Sequence, residues 1–252
     1  MKQTKWTKKR SEGLPRWAMG LLMGLCIGLI VVALGGLVIY VLLTGGARKE
    51  FDELAQRVEK ETVGLPKAYA DLKAENPDFV GWIKIEGTSV NYPVVQTKAE
   101  PQYYLRRSFE GSYSIAGTPF LDAQCDMEKG IGLIIYGHNM NDGSMFADIA
   151  GYTQETYWRE HPIIQCDSLT RQREYEVMAV LQFKDSEQAA QDYYSVPCDE
   201  MNFTEYISRL ADAALYDTGI QAVWGDQILA LSTCSRQDSD SRILVIARKT
   251  GL

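Results

Sequence analysis

Histidine is scarce in this chain: 252 residues contain two, His138 and His161. Five cysteines are present, but no two stand as C-x-x-C, so nothing reads as a clip for a structural metal. Phosphate-binding loops and dinucleotide fingerprints are missing, so no cofactor is called for. Internal repeats and low-complexity tracts are missing as well.

Positive charge is also short outside the first sixteen residues. Lys2, Lys5, Lys8, Lys9, Arg10 and Arg16 face a single Glu12, a net +5. The whole chain carries −7, so the remainder carries −12. Nucleic-acid binding depends on Lys and Arg neutralising phosphates, and a region this acidic excludes that class of partner.

Charge of either sign is absent from Trp17 to Ala47. A hydrocarbon core takes about 20 apolar residues to cross, and this run is long enough. A secretory signal has an apolar region of only about 7–15 residues, so an uncleaved anchor is expected. The basic flank precedes the run, which places the N-terminus in the cytoplasm and the rest of the chain outside the cell. The expected organisation is a basic cytoplasmic tail at 1–16, a transmembrane signal-anchor helix at 17–44, juxtamembrane and N-terminal helices at 45–75, and an exported domain at 76–252. The membrane, through the anchor, is thus one expected partner.

Within 48–75, Phe51, Leu54 and Val58, then Leu65, Tyr69 and Leu72, recur near helical spacing, with a break at Gly64-Leu65-Pro66. After Asn76-Pro77 the pattern becomes short apolar or alternating runs between Gly, Asn, Asp and Pro. These runs are "DFVGWIKIEG", "VNYPVVQ", "GTPFLD", "GLIIYGH", "REYEVMAVLQF", "DQILALSTC" and "RILVIARK". They read as strands, with too few intervening helices for a doubly wound sheet, so the class is mainly β, a barrel or a sandwich. One helix interrupts them at about 201–217, with Phe203, Tyr206, Ile207, Leu210 and Ala214 on one face.

Cys26 lies in the apolar run; Cys125, Cys166, Cys198 and Cys234 follow it. Their irregular spacing gives no disulfide framework, and a domain of this size needs none, so a free thiol is expected. Cys234 ends an apolar strand where the chain enters a polar loop, and His138 ends "GLIIYGH" in the same manner. A thiol needs its proton managed before it can attack, and an imidazole on a neighbouring strand end can do this. Arg242 opens the next strand, where a fixed cation could stabilise the oxyanion of acyl transfer. Arg236 and Arg248 compete for that role, one in the loop and the other about 20 Å further along the strand. His161, before Pro162, reads as a turn residue.

L-S-T-C at Leu231–Cys234, with an arginine eight positions on, resembles the signature of sortases, the membrane-anchored cysteine transpeptidases of Gram-positive surfaces. "IIYGHNMNDGSMFADIAGY", "NPDFVGWIKIEGTSVNYPVVQ" and "YYLRRSFEGSYSIAGTPFLD" resemble class B in particular. The likeness covers most of 76–248. Ala230 stands where the family motif has threonine, a departure that leaves the thiol untouched.

The resemblance implies a closed eight-stranded β-barrel with N-terminal helices and a helix inserted between late strands, behind one transmembrane helix. It implies Cys234 as nucleophile, His138 as acid/base and Arg242 as oxyanion or carbonyl donor. Ser232, Tyr206, Ile207 and Leu105 are the expected substrate-binding residues. The implied partners are sorting-signal peptides, cut at a Thr–Gly-type bond, and an amine of a peptidoglycan precursor or cross-bridge. Some class A members use calcium, but no dense carboxylate set appears here, and no metal is expected. Two other classes stay open on the residues alone: an exported cysteine endopeptidase using water, and a tethered binding module without catalysis.

Overall fold

The computed structural model describes residues 16–60, 65–197, 199–235 and 240–251. The basic tail apart from Arg16, Cys198, and the stretch with Arg236 and Asp238 lie outside the described residues. The chain divides into two compact units at the Leu43–Thr44 boundary. Helix α1 (Arg16–Lys60) begins in the first, where its large apolar side chains from Trp17 to Val41 are exposed. This helix is long and apolar enough to cross a membrane.

In the second unit, the end of α1 buries Phe51, Leu54 and Val58, one helical stripe. Helix α2 (Leu65–Glu75) adds Ala68, Tyr69 and Leu72. Phe51 meets Tyr92 edge-on at 5.4 Å, and Tyr69 meets Phe79 at 5.8 Å, an arrangement aromatic quadrupoles favour.

Eight strands close into a barrel: β1 (Phe79–Lys84), β2 (Asn91–Val95), β3 (Phe120–Leu121), β4 (Gly132–Tyr136), β5 (Ile163–Ser168), β6 (Glu174–Lys184), β7 (Ile228–Cys234) and β8 (Ser241–Lys249). Their order around the barrel is β1-β2-β3-β4-β7-β8-β6-β5. The β2/β3 and β4/β7 pairs are parallel and the others antiparallel. Strand β5, "IIQCDS", is absent from the sequence-read strands. Gln165 and Asp167 interrupt its apolar pattern, yet its pairing with β1 and β6 completes the closure.

Strands β7 and β8 are buried on both faces, which is why they read as near-continuous apolar runs. Leu229, Leu231, Ile243, Val245 and Ala247 belong to the main core cluster. Ile228, Ala230, Leu244 and Ile246 face the other way, into a second cluster with helix α5. Among the described residues three further α-helices lie between β4 and β7: α3 (Glu155–Glu160), α4 (Glu187–Tyr194) and α5 (Glu200–Ala213). Helix α5 buries Phe203, Tyr206, Ile207 and Leu210, and its N-terminus is capped by the Asp199 side chain accepting from Asn202 N–H. It stops at Ala213, so Ala214 lies just past its end.

Candidate active site

Strands β4 and β7 run parallel in register, with Tyr136 opposite Ser232. Gly137 N–H donates to the Ser232 carbonyl at 3.1 Å, and Thr233 Oγ1 donates to the Gly137 carbonyl at 2.8 Å. The two strand ends are thereby tied together, and the residues just beyond, His138 and Cys234, open on one cleft. Asn139 Nδ2 adds a bond to the Cys234 carbonyl at 2.9 Å. Gly137 serves close packing here: a Cβ would come within 2.6 Å of the Phe146 ring.

The antiparallel pair β7/β8 places Arg242 directly opposite Cys234. Its Nη1 donates to Cys234 Sγ at 2.6 Å. Arg248 stands far from this point, opposite Ile228 at the other end of the ladder, where it pairs with Glu176 and Asp226. His161 caps the end of α3 and bonds the Glu86 carbonyl through Nδ1.

His138 Nε2 lies 2.8 Å from the Leu105 carbonyl oxygen. A carbonyl only accepts, so Nε2 carries the proton in this contact and a neutral ring keeps its lone pair on Nδ1. Burial pushes the His138 pKa below the ordinary imidazole value. The Leu105 bond opposes this shift, and the nearby Arg106 charge adds to it. The neutral tautomer with Nδ1 as acceptor is therefore the resting form at neutral pH.

Leu105 sits in a 3₁₀ turn, Tyr103–Arg106. The turn is held by Tyr104, whose hydroxyl donates to Asp78 at 3.0 Å and accepts from Asn76 Nδ2 at 2.9 Å. Gly117 crosses the turn at φ +64°, and a Cβ there would approach the Leu105 carbonyl oxygen to 2.6 Å. Only glycine combines that backbone angle with that clearance, so Gly117 keeps the His138 acceptor in place.

The cleft has a volume of about 400 Å³. Leu105, Phe120, Tyr136 and Tyr194 give it apolar walls, and Ser232, Asp122 and Asp185 add polar groups. The Tyr194 and Ser232 hydroxyls are hydrogen-bonded at 2.8 Å, and Tyr136 donates to Asp122 Oδ2 at 3.1 Å. Of the sequence-picked residues, His138, Cys234, Arg242, Ser232 and Leu105 share this cleft. Tyr206 and Ile207 do not. They are buried in the cluster between α5 and the barrel, and the Tyr206 hydroxyl donates to the Tyr193 carbonyl at 3.1 Å. They lie behind the wall rather than on it, because a helix amphipathic enough to be read from sequence buries its apolar face in the core. Tyr136, Tyr194 and Asp185 were missed. Tyr136 could have been found, since it lies two positions before His138 on an alternating strand.

A half-buried thiol beside a fixed guanidinium, with a neutral imidazole on the adjacent strand, is an arrangement for covalent acyl chemistry. Comparison with known proteins agrees. A family model described as "Sortase domain" matches residues 83–250. Sortase B of Listeria monocytogenes is 32% identical over 184 residues, 71% of this chain and 72% of that protein. The structure of sortase B from Bacillus anthracis in complex with AAEK1 superposes with a TM-score of 0.71 at 29% identity, over 80% of this chain and 95% of that one. A Staphylococcus aureus sortase B–substrate complex has the same fold, with a TM-score of 0.73 at 24% identity, over 81% and 96% of the two chains. On this evidence the chain belongs to the sortase family of cysteine transpeptidases, within class B.

Proposed function

We propose that this protein is a membrane-anchored transpeptidase that cuts a Thr–Gly-type bond in the C-terminal sorting signal of secreted proteins and joins the new carboxyl end to a cell-wall amine. Residues 1–16 form the cytoplasmic tail, 17–44 the anchor, 45–75 the juxtamembrane helices and 76–252 the extracellular catalytic barrel. Supporting the topology are the basic flank and the uncharged run from Trp17 to Ala47. The observation that carries the chemistry is the Arg242 donor on Cys234 Sγ, in a cleft that also holds His138.

In this reading His138 Nδ1 takes the Cys234 proton and Sγ attacks the threonine carbonyl carbon, forming the C–S bond. The tetrahedral oxyanion is met by the Arg242 guanidinium. Its collapse breaks the C–N bond, and His138 returns the proton to the departing amine. An acceptor amine then attacks the thioester and gives a proton to His138; the C–S bond breaks, and the thiol is restored. The partners are thus a sorting-signal peptide and an amine of a peptidoglycan precursor or cross-bridge.

The test is incubation of the protein with a sorting peptide, with and without an added amine. Amine-dependent ligation through a thioester intermediate is expected. Cleavage that stays wholly amine-independent, even with a native cell-wall acceptor, would mean that water resolves the acyl-enzyme and would overturn the transpeptidase reading in favour of an endopeptidase.

The half-buried His138 fixes the acid side of the pH profile. Because its pKa lies below the ordinary imidazole value of 6.5, the ring is neutral and able to take the thiol proton until the pH falls past that depressed value. The acid limb of kcat/KM is expected below pH 6.5. Replacing Arg106 by alanine removes a positive charge that disfavours the imidazolium, so it should move the limb upward. A limb above neutrality in the unmodified protein would contradict a neutral resting His138.

A further inference from the structure

Arg242 serves two partners at once. While Nη1 meets Cys234 Sγ at 2.6 Å, Nη2 lies 2.7 Å from Asp185 Oδ2. No step of the chemistry above uses Asp185, yet the sheet places it with care. On the antiparallel pair β6/β8, Phe183 lies opposite Arg242 and Lys184 opposite Ser241. Asp185 follows directly, two residues beyond the direct partner of Arg242, a diagonal position within reach of a long side chain. Its backbone N–H donates to the Asp240 carbonyl at 2.7 Å, which extends the ladder and fixes the carboxylate's origin.

The exposure of the pair decides what it can be for. The side chains are 28% exposed at Arg242 and 43% at Asp185. An ion pair this open to water adds little to folding stability. Its effect is on direction. An arginine stem has many rotamers, but its guanidinium is planar and rigid, so holding one nitrogen sets where the others point.

We propose that Asp185 is a positioning residue for Arg242: by holding Nη2 it aims Nη1 at the point above Cys234 where negative charge develops during acyl transfer. The inference rests on the role given to Arg242 above. Asp185 itself touches no reacting atom.

The experiment uses the full chain in detergent micelles, with Asp185→Ala and Asp185→Asn made alone and Asp185→Ala also made in an Arg242→Ala background. Two readouts are taken: kcat and KM for a sorting peptide, and the ¹⁵N signals of the Arg242 guanidinium, assigned by their loss in Arg242→Ala. Asp185→Ala should lower kcat about tenfold or more with KM within about twofold, because misaimed groups forfeit transition-state rather than ground-state interactions. Asp185→Asn keeps an acceptor oxygen and should recover most of the loss. In the Arg242→Ala background, Asp185→Ala should cost nothing further. The Nη1 and Nη2 signals should be resolved in the unmodified protein, where rotation is hindered, and should merge in Asp185→Ala.

An unchanged kcat, a kcat loss with an unaltered Nη pattern, or an equal loss in the Arg242→Ala background would each overturn the proposal. If Arg242→Ala alone leaves turnover intact, the role of Arg242 falls. The Nη pattern would still report whether Asp185 holds the guanidinium.

Discussion

Cys234→Ala is expected to abolish peptide cleavage, a loss of about 10⁴-fold or more in kcat, because no other described thiol of the barrel can take over the attack. Cys166 is fully buried on β5, and that burial pushes its thiol up to about 12. Burial likewise pushes the Cys125 thiol up to about 11. Both are overwhelmingly protonated at neutral pH; at Cys166 the nearby Arg173 charge opposes the rise but burial outweighs it. Cys234 stands half-buried at the open end of β7 with an arginine donor on its sulfur. The substitution should not disturb the fold, since Cys234 is the one residue of β7 that is not buried. Cleavage followed by chromatography, with intact-mass detection of the acyl-enzyme, checks both consequences. Turnover within about a hundredfold of the unmodified protein, or an acyl adduct on Cys234→Ala, would show that the nucleophile lies elsewhere.

That the thiol could be singled out from sequence follows from how the barrel is built. Strands buried on both faces, such as β7 and β8, read as unbroken apolar runs, so a polar residue at their end stands out. For that reason Cys234, Arg242 and His138 stood out as candidates; the resemblance to sortases implied their roles, and the structure brings the three to one cleft. What escaped were features whose meaning is tertiary. Strand β5 has the polar residues Gln165 and Asp167 within its six positions, and only its neighbours β1 and β6 make it a strand. Asp185 sits just past the end of β6, where local sequence looks like an ordinary polar connection, and its value depends on the β6/β8 register. Tyr194 closes the cleft from the end of α4, a short helix whose apolar pattern is too brief to read. The misplacement of Tyr206 and Ile207 has the opposite cause. Helical periodicity identifies which residues face inward, and it carries no information on whether the inward side is a cleft or the core.

Arg242→Ala is expected to lower kcat by about 10²–10³-fold with little change in KM, the range found when an oxyanion donor is removed from an acyl-transfer site. Such a loss corresponds to about 3–4 kcal/mol of transition-state stabilisation. It falls on kcat because the carbonyl oxygen gains its full negative charge only after Sγ has attacked. Arg242→Lys should recover less than about tenfold of the deficit, and the geometry says why. The guanidinium reaches Asp185 with one nitrogen and Cys234 with another. A lysine ammonium is a single point charge at the end of a flexible stem, so pairing with Asp185 draws it away from the thiol. Steady-state kinetics on both variants, with thermal melting to confirm an intact barrel, tests the claim. A loss confined to KM would reassign Arg242 to uniform substrate binding, and full rescue by lysine would mean that charge alone, without the two-nitrogen fork, suffices at this site.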